Sequence, residues 1–363
     1  MVKTDYYLLT IVILIVLLGF FSFYSISLPL SLKNENRENY FFRHQIFYGY
    51  LPGLFFLLFF YHLKISFLKK ISFFLFFSSL LLNIILFLPP FSKKVGGAIR
   101  WLKINENLSF QPFEITKPFI FLFFAKVLSE KKMNEKKEIF HFLKALFFLF
   151  LFLIVLFFQS NASNIFLISL SFFLLCFINK IKTKYLLFSI LFFLIIFLIL
   201  IKTSPYRQNR ILNFLNPDKN YFGIGYQINQ SLMAIGSGRI LGEGFGMSNY
   251  KFFELLPKMI FDAPFAIFAQ ETGFLGSSFL IILFLLFFIR CVKIAKEMED
   301  NFLKLLIWGI NFWFIIQFLM NVGSMIQLIP VSGLPLPFFS YGGSALIGQM
   351  IALGLLFNAS KKT

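Results

Sequence analysis

The chain alternates long apolar runs with short polar breaks. Ten runs reach or approach the roughly 20 residues that carry a helix across a bilayer core. They are 7–30, 46–63, 71–90, 112–128, 139–158, 164–179, 184–202, 263–290, 303–322 and 339–358. The pattern predicts an all-α polytopic membrane protein with about ten transmembrane helices, read as a single membrane domain over 1–363. The first run is too long for a signal-peptide core and reads as an uncleaved helix. One connection departs from the rest: residues 203–262, between the seventh and eighth helices, mix Gly, Asn, Ser and charge with apolar pieces. A loop of that length is functional or disordered. Its apolar pieces, Ile211–Leu215 and Phe252–Leu256, favour a folded, functional loop.

Basic residues set the orientation. Alternate connections carry Lys64, Lys69 and Lys70; Lys126, Lys131, Lys132, Lys136 and Lys137; Lys180, Lys182 and Lys184; Arg290, Lys293 and Lys296; and Lys361 and Lys362. The opposite set includes 159–163 and 323–338, which carry no charge. The positive-inside rule then places both termini in the cytoplasm and the long loop outside. Lys93, Lys94, Arg100 and Lys103 break the bias on the outer side, which marks them as functional candidates.

Composition agrees. The chain is 58% hydrophobic, where soluble domains hold about 45–50%. A net charge of +18 would point a soluble protein to nucleic acid. Here the cations sit in short loops, so membrane topology and anionic headgroups account for them and no nucleic-acid partner is expected. The 59 Phe residues fit codon bias and lipid exposure. Cys176 and Cys291 fall toward the inner side, where no disulfide is expected. His44, His62 and His141 are scattered and offer no metal spacing.

The chemistry-capable residues gather on one side. Asp262 closes the long loop against an apolar helix start, where partial desolvation makes a carboxylate a better base. The competing reading is a helix N-cap. Glu271 lies inside the same helix, where an ionisable group is costly. Arg100, Lys117, Arg207, Arg210, Arg239 and Lys251 suit a pyrophosphate or other anion, or are simply solvated loop cations. Glu114 and Lys117 share one helix face, as a functional pair or a structural ion pair. Gly236-Ser237-Gly238, Gly242-x-Gly244-x-Gly246 and Tyr341-Gly342-Gly343-Ser344 offer tight turns and close backbone approach. Pro335-x-Pro337 precedes the last run and predicts irregular backbone at membrane depth, tolerated only when buried or lining a cavity.

Several segments together resemble one family, the SEDS proteins (shape, elongation, division and sporulation), typified by FtsW and RodA. They are Gly97-Ala98-Ile99-Arg100-Trp101-Leu102, Phe110-Gln111-Pro112-Phe113-Glu114-Ile115-Thr116-Lys117, Pro205-Tyr206-Arg207-Gln208-Asn209-Arg210, Gly225-Tyr226-Gln227 with Gln230-Ser231-Leu232 and Ala234-Ile235-Gly236-Ser237-Gly238, and Gly333 through Ser344. Their order is the family's, and the resemblance covers roughly 95–358. It implies a bacterial cytoplasmic-membrane enzyme that polymerises lipid II into glycan strands outside the membrane. It further implies Asp262 as general base. The implied substrate-binding set is Arg100, Glu114, Lys117, Arg207, Arg210, Gln230, Ser231, Lys251, Glu271, Ser340 and Tyr341. Implied partners are lipid II, a class B penicillin-binding transpeptidase, other division proteins and membrane lipid. A divalent cation, Mg²⁺ or Mn²⁺, is compatible with a pyrophosphate ligand, without a dedicated metal motif.

The segment Leu256-Pro257-Lys258-Met259-Ile260-Phe261-Asp262 keeps the family's aspartate but carries Lys258, Ile260 and Phe261 where glutamate, histidine and threonine are usual. Asn161 takes an acid's place and Phe113 a serine's. Gly246-Met247-Ser248 with Lys251 resembles the division branch more than the elongation branch. An elongation-type polymerase that controls cell shape, a lipid II flippase or transporter, and a scaffold for a crosslinking enzyme remain the alternatives.

Overall fold

The computed structural model describes residues 5–32, 39–95, 98–103, 109–130, 135–202, 205–215, 224–253, 255–256 and 260–361. Lys258 and Lys362 therefore lie outside the described residues.

The protein is mostly helical. Helix α1 (Tyr6–Leu32) is followed by α2 (Tyr40–Gln45), which runs through a π-helical turn (Ile46–Tyr50) into α3 (Leu51–His62). After α4 (Ile65–Ile85) comes a small antiparallel sheet, β1 (Ser92–Val95), β2 (Ala98–Lys103) and β3 (Ser109–Phe110). Then follow α5 (Pro112–Ser129), α6 (Glu135–Phe158), α7 (Ala162–Ile178) and α8 (Thr183–Lys202). The long loop holds α9 (Pro205–Leu215), α10 (Ile224–Ser237) and α11 (Asn249–Phe252). The chain ends with α12 (Pro264–Glu297), α13 (Asn301–Met325) and α14 (Gly343–Ala359).

Among the described residues, five helices (α1, α4, α6, α12 and α13) contain stretches long and apolar enough to cross a membrane, and α7, α8 and α14 are shorter apolar helices. The protein is thus a multi-pass membrane protein. Helix α13 is buried on nearly all sides, whereas α4 and α12 turn most of their apolar surface outward. Such outward Phe and Leu are stable only in lipid, since water would leave them unburied.

Several boundaries differ from the hydropathy reading, among them those of the third and last runs. The third run, read as 71–90, is a helix over Ile65–Ile85. Its first turns take in Lys69, whose ammonium reaches Asp300 at 2.6 Å, and the chain leaves the helix before Pro89. Hydropathy penalises those lysines and rewards the apolar stretch 86–91, so it slides the span forward. The last run, read from 339, starts its helix at Gly343, because Phe338 and Gly342 adopt positive φ.

Two buried or half-buried charge pairs register α1 against α12. Asp5 caps α1 by accepting from Leu8 N at 3.0 Å and also pairs with Arg290. Near the other end, Ser25 donates to Glu271 Oε1 at 2.7 Å, and Lys251 reaches the same oxygen at 2.5 Å. Asp5 and Ser25 stand about 30 Å apart at a helical rise of roughly 1.5 Å per residue. That matches the hydrocarbon core of a bilayer, about 30 Å thick. The two pairs are therefore spaced by about one hydrocarbon thickness.

Helix α12 is broken at Gly273, with φ 66° and ψ −163°. A loop strand heals the break. Glu243 N and Gly244 N donate to Gln270 O (3.0 Å) and Glu271 O (3.1 Å), while Phe274 N and Leu275 N donate to Arg239 O (2.9 Å) and Ile240 O (3.1 Å). This satisfies the four backbone groups that a helix break leaves unpaired at membrane depth. Gly242 makes the contact feasible, for a Cβ there would stand 2.2 Å from Glu271 O and its φ is +82°. Gly242→Ala is therefore expected to destabilise by ~2 kcal/mol or more, beyond the ~1 kcal/mol of a positive φ alone. Gly246→Ala is the control, since Gly246 has φ +88° and open space around its Cα. Thermal unfolding in detergent compares them, and equal shifts would contradict the close-approach argument.

Candidate active site

The site grows from an irregular segment, 329–342, between α13 and α14. Pro330, Pro335 and Pro337 forbid a continuous helix. Its backbone groups must find other partners, and side chains supply them. Asn321 Nδ2 donates to Leu334 O at 2.8 Å, Gln317 Nε2 to Pro335 O at 2.8 Å and Arg210 Nη1 to Val331 O at 3.1 Å. Gln349 Oε1 accepts from Phe338 N at 2.9 Å, and Ser340 Oγ from Leu336 N at 2.8 Å. Ser163 donates to Ser332 O. The segment is therefore fixed in place by polar side chains from α7, α9, α13 and α14.

Asp262 lies beside it. Asn321 Nδ2 also donates to Asp262 O at 2.8 Å, tying the aspartate backbone to the same asparagine as Leu334. The N-cap of α12 is Ala263, whose helix start carries no side-chain cap. The N-cap reading of Asp262 is thereby removed. At Gly333 the crowding identifies the carboxylate's neighbour: a Cβ built there would stand 3.6 Å from Arg210 Nη2 and 4.0 Å from Asp262 Oδ2. Carboxylate and guanidinium thus converge on one glycine with φ +65°. Arg207, one turn back on α9, is half-buried, and burial holds its guanidinium below the ordinary value.

Behind the segment stands the Glu114–Lys117 pair of α5, at 2.8 Å and almost wholly buried. Lys117 Nζ also reaches Gln317 Oε1 at 3.4 Å and lies 5.1 Å from the Trp313 ring centroid. Gln317 thus links the ion pair to Pro335 O. Asn164 Nδ2 donates to Glu114 Oε1 at 3.4 Å and to Asn161 Oδ1 at 3.1 Å, which gives Asn161 a place in the same network.

Tyr341 braces the chain just before Asp262. Tyr341 N donates to Ile260 O at 2.7 Å, and the ring meets Phe261 at 5.5 Å between centroids. Its hydroxyl shares a 2.9 Å hydrogen bond with His44 Nδ1. Burial, and then Tyr40, push the Tyr341 hydroxyl up, so it stays protonated. Gln45 accepts from Gly342 N at 3.1 Å and donates to Ser340 O at 3.4 Å.

Not every sequence-predicted residue joins this centre. Arg100 donates to Gln159 O at 3.3 Å and to Ser160 O, closing the α6–α7 turn, where a cation suits a helix C-terminus. Lys251 and Glu271 are both buried and pair with each other and Ser25 at the α1–α12 boundary. Ser231 donates to Gln227 O at 2.8 Å and packs on Met325, inside the α10–α13 contact, and Gln230 is buried one residue before it on the same helix. Sequence reasoning missed Asn321, Gln317, Ser25, Gln45 and His44. Buried amides in apolar runs were the available signal for the first two. Nothing in His44's spacing pointed to Tyr341.

Among the described residues no three His, Cys, Asp or Glu side chains cluster.

A multi-pass membrane protein with a carboxylate and arginines set against an irregular segment between its last two helices is a class that comparison can place. The family model described as "Cell cycle protein", covering FtsW, RodA and SpoVE, matches residues 5–363. The chain belongs to this FtsW/RodA/SpoVE family. It is 35% identical over 362 residues to the probable peptidoglycan glycosyltransferase FtsW of Wigglesworthia glossinidia brevipalpis, covering 98% of this chain and 93% of the relative. It is 36% identical over 361 residues to that of Buchnera aphidicola subsp. Baizongia pistaciae, covering 97% and 92%. The fold also resembles a chain from the structure on coordination of polymerization and crosslinking by a peptidoglycan synthase complex, with TM-score 0.78, 22% identity, and 99% and 98% covered. Thermus thermophilus rod shape determining protein RodA gives TM-score 0.71 at 23% identity, with 99% and 97% covered.

Proposed function

We propose that this protein is a peptidoglycan glycosyltransferase of cell division that polymerises lipid II on the outer face of the cytoplasmic membrane. It crosses the membrane about ten times, with both termini inside and the α8–α12 loop outside. The observation that carries the reading is the convergence of Asp262 and Arg210 on Gly333, within a chain whose relatives are named as such enzymes.

In this mechanism Asp262 takes the proton from the acceptor sugar's 4-hydroxyl. The oxygen attacks the anomeric carbon of the growing strand from the face opposite its pyrophosphate. The new glycosidic bond forms as the bond to the pyrophosphate oxygen breaks, and the configuration inverts. Arg210 and Arg207 stabilise the departing polyprenyl pyrophosphate. One base suffices because the leaving group is already anionic, unlike the two-carboxylate hydrolases. A divalent cation, Mg²⁺ or Mn²⁺, would supply further neutralisation of the pyrophosphate charge beside Arg207 and Arg210. A class B penicillin-binding transpeptidase uses the strands.

The test is polymerisation of purified lipid II by the detergent-solubilised protein, wild type beside Asp262→Asn, with and without its transpeptidase. Strands from wild type alone support the reading. Strands from neither, in a folded and partnered preparation, overturn it in favour of a scaffold.

His44 acts through Tyr341 on the Ile260–Asp262 backbone. His44→Ala is expected to lower kcat about fivefold with KM little changed, the ~1 kcal/mol of one neutral hydrogen bond. His44→Gln retains an acceptor and recovers most of the loss. If Gln and Ala behave alike, the hydrogen bond does not position the base.

A further inference from the structure

The strap that heals the α12 break sits at the edge of the apolar span. Phe274 and Leu275 receive its backbone through Arg239 O and Ile240 O. Leu275 stands about 22 Å above Arg290 at roughly 1.5 Å per residue. That is short of the approximately 30 Å between the two charge pairs. The Arg239–Ile240 end of the strap therefore lies just inside that span, and its 243–244 end at the level of Gln270 and Glu271.

At that depth Ile240, Leu241, Phe245 and Met247 are 65%, 77%, 51% and 65% exposed, beside Phe274 at 67%. The strap also carries two exposed charged residues, Arg239 and Glu243, as a segment at the membrane–water interface does. Glu243 accepts from Gln270 Nε2 at 2.9 Å, and Ser248 donates to Gln270. Gly242 N donates to Gly238 O at 2.7 Å and Met247 N to Gly244 O at 3.1 Å, while Glu243 N and Gly244 N bond to α12. Part of the strap backbone is bonded internally, and four large apolar side chains face outward, which suits a segment lying at the edge of the hydrocarbon with water still in reach. In water the same patch would be an aggregation liability.

We propose, building on the catalytic side assigned above, that the strap 239–247 is a lipid anchor. Ile240, Leu241, Phe245 and Met247 seat among the acyl chains of the catalytic-side leaflet, as the apolar face of an interfacial segment does. The occupant is lipid because the patch continues the outward face of α12, with Ile240 beside Leu275 and the 243–244 backbone at the level of Glu271. The anchor fixes the height of the long loop relative to the surface at which a polyprenyl-linked substrate arrives.

The experiment uses the full chain alone in phospholipid nanodiscs. Leu241→Trp is compared with wild type, whose tryptophans are Trp101, Trp308 and Trp313, and the added emission is the signal. Three quenchers are applied: lipid brominated near the glycerol end of its acyl chains, lipid brominated near the methyl end, and aqueous acrylamide. The expected result is quenching by the first lipid at least about twice that by acrylamide and greater than that by the second, as an interfacial depth requires. Stronger quenching by acrylamide overturns the anchor and puts the strap in water. Quenching by none overturns it in favour of a protein cover, a second copy or a partner's transmembrane helix. Met247→Trp repeats the measurement if Leu241→Trp does not fold. The readout needs no activity, so a failed anchor and a failed glycosyltransferase reading are told apart.

Discussion

Asp262→Asn is expected to reduce glycan polymerisation about 10²–10⁴-fold, the usual contribution of a positioned general base. Asparagine keeps the shape of the side chain and cannot accept the acceptor's proton. The tie from Asn321 to Asp262 runs to the backbone carbonyl, so the substitution leaves it intact. Ala263 holds the N-cap, so α12 does not lose a cap either. Insertion, thermal unfolding and transpeptidase binding should therefore match wild type while strand synthesis collapses. The measurement is initial strand synthesis at saturating lipid II, with unfolding of the same preparation. A variant that keeps more than about a tenth of wild-type turnover would remove Asp262 from the base role. Arg210→Ala should also lose activity, but with some loss of stability, because it frees Val331 O as well.

The second large effect concerns Lys117. Its ammonium is fully buried against Glu114, and removing one partner of a buried pair typically costs about 3–5 kcal/mol. Lys117→Met leaves the Glu114 carboxylate with only Asn164 at 3.4 Å and no counter-charge. Glu114→Gln combined with Lys117→Met removes both charges and should recover most of that loss, since a buried pair is close to neutral against uncharged groups of similar volume. Thermal unfolding of the two variants beside wild type checks this. Equal destabilisation by the single and double changes would mean that the lysine acts by shape and not by charge. A double variant that is stable yet inactive would assign the pair a role beyond packing, conveyed through Gln317 to Pro335 O.

Much of this protein was legible in one dimension. Transfer of an apolar side chain into lipid is a property of each residue, so runs of Phe, Leu and Ile announce helices without knowledge of their neighbours. The Lys and Arg distribution gave an orientation on the same local grounds. Prolines and glycines foretold irregular backbone at 329–342 and a tight approach at 242–246. Where local signals conflicted, the boundary slipped, as at α4, whose Lys69 pairs with an aspartate 231 residues away.

The site residues divide differently. Sequence gathered Asp262, Arg210, Lys251, Glu271 and Arg100 as one cationic and carboxylate set, because charge is visible and direction is not. Only tertiary structure separated them. Arg210 turned to Val331 across 121 residues, whereas Ser25 met Glu271 across 246 and His44 met Tyr341 across 297. Such pairings follow from which helix faces pack together and which backbone groups a broken helix leaves to satisfy. Hydropathy marks which stretches are apolar enough to enter the membrane, since that free energy adds residue by residue. Which side chains then meet inside it is decided by close packing and by the need of every buried polar group for a partner.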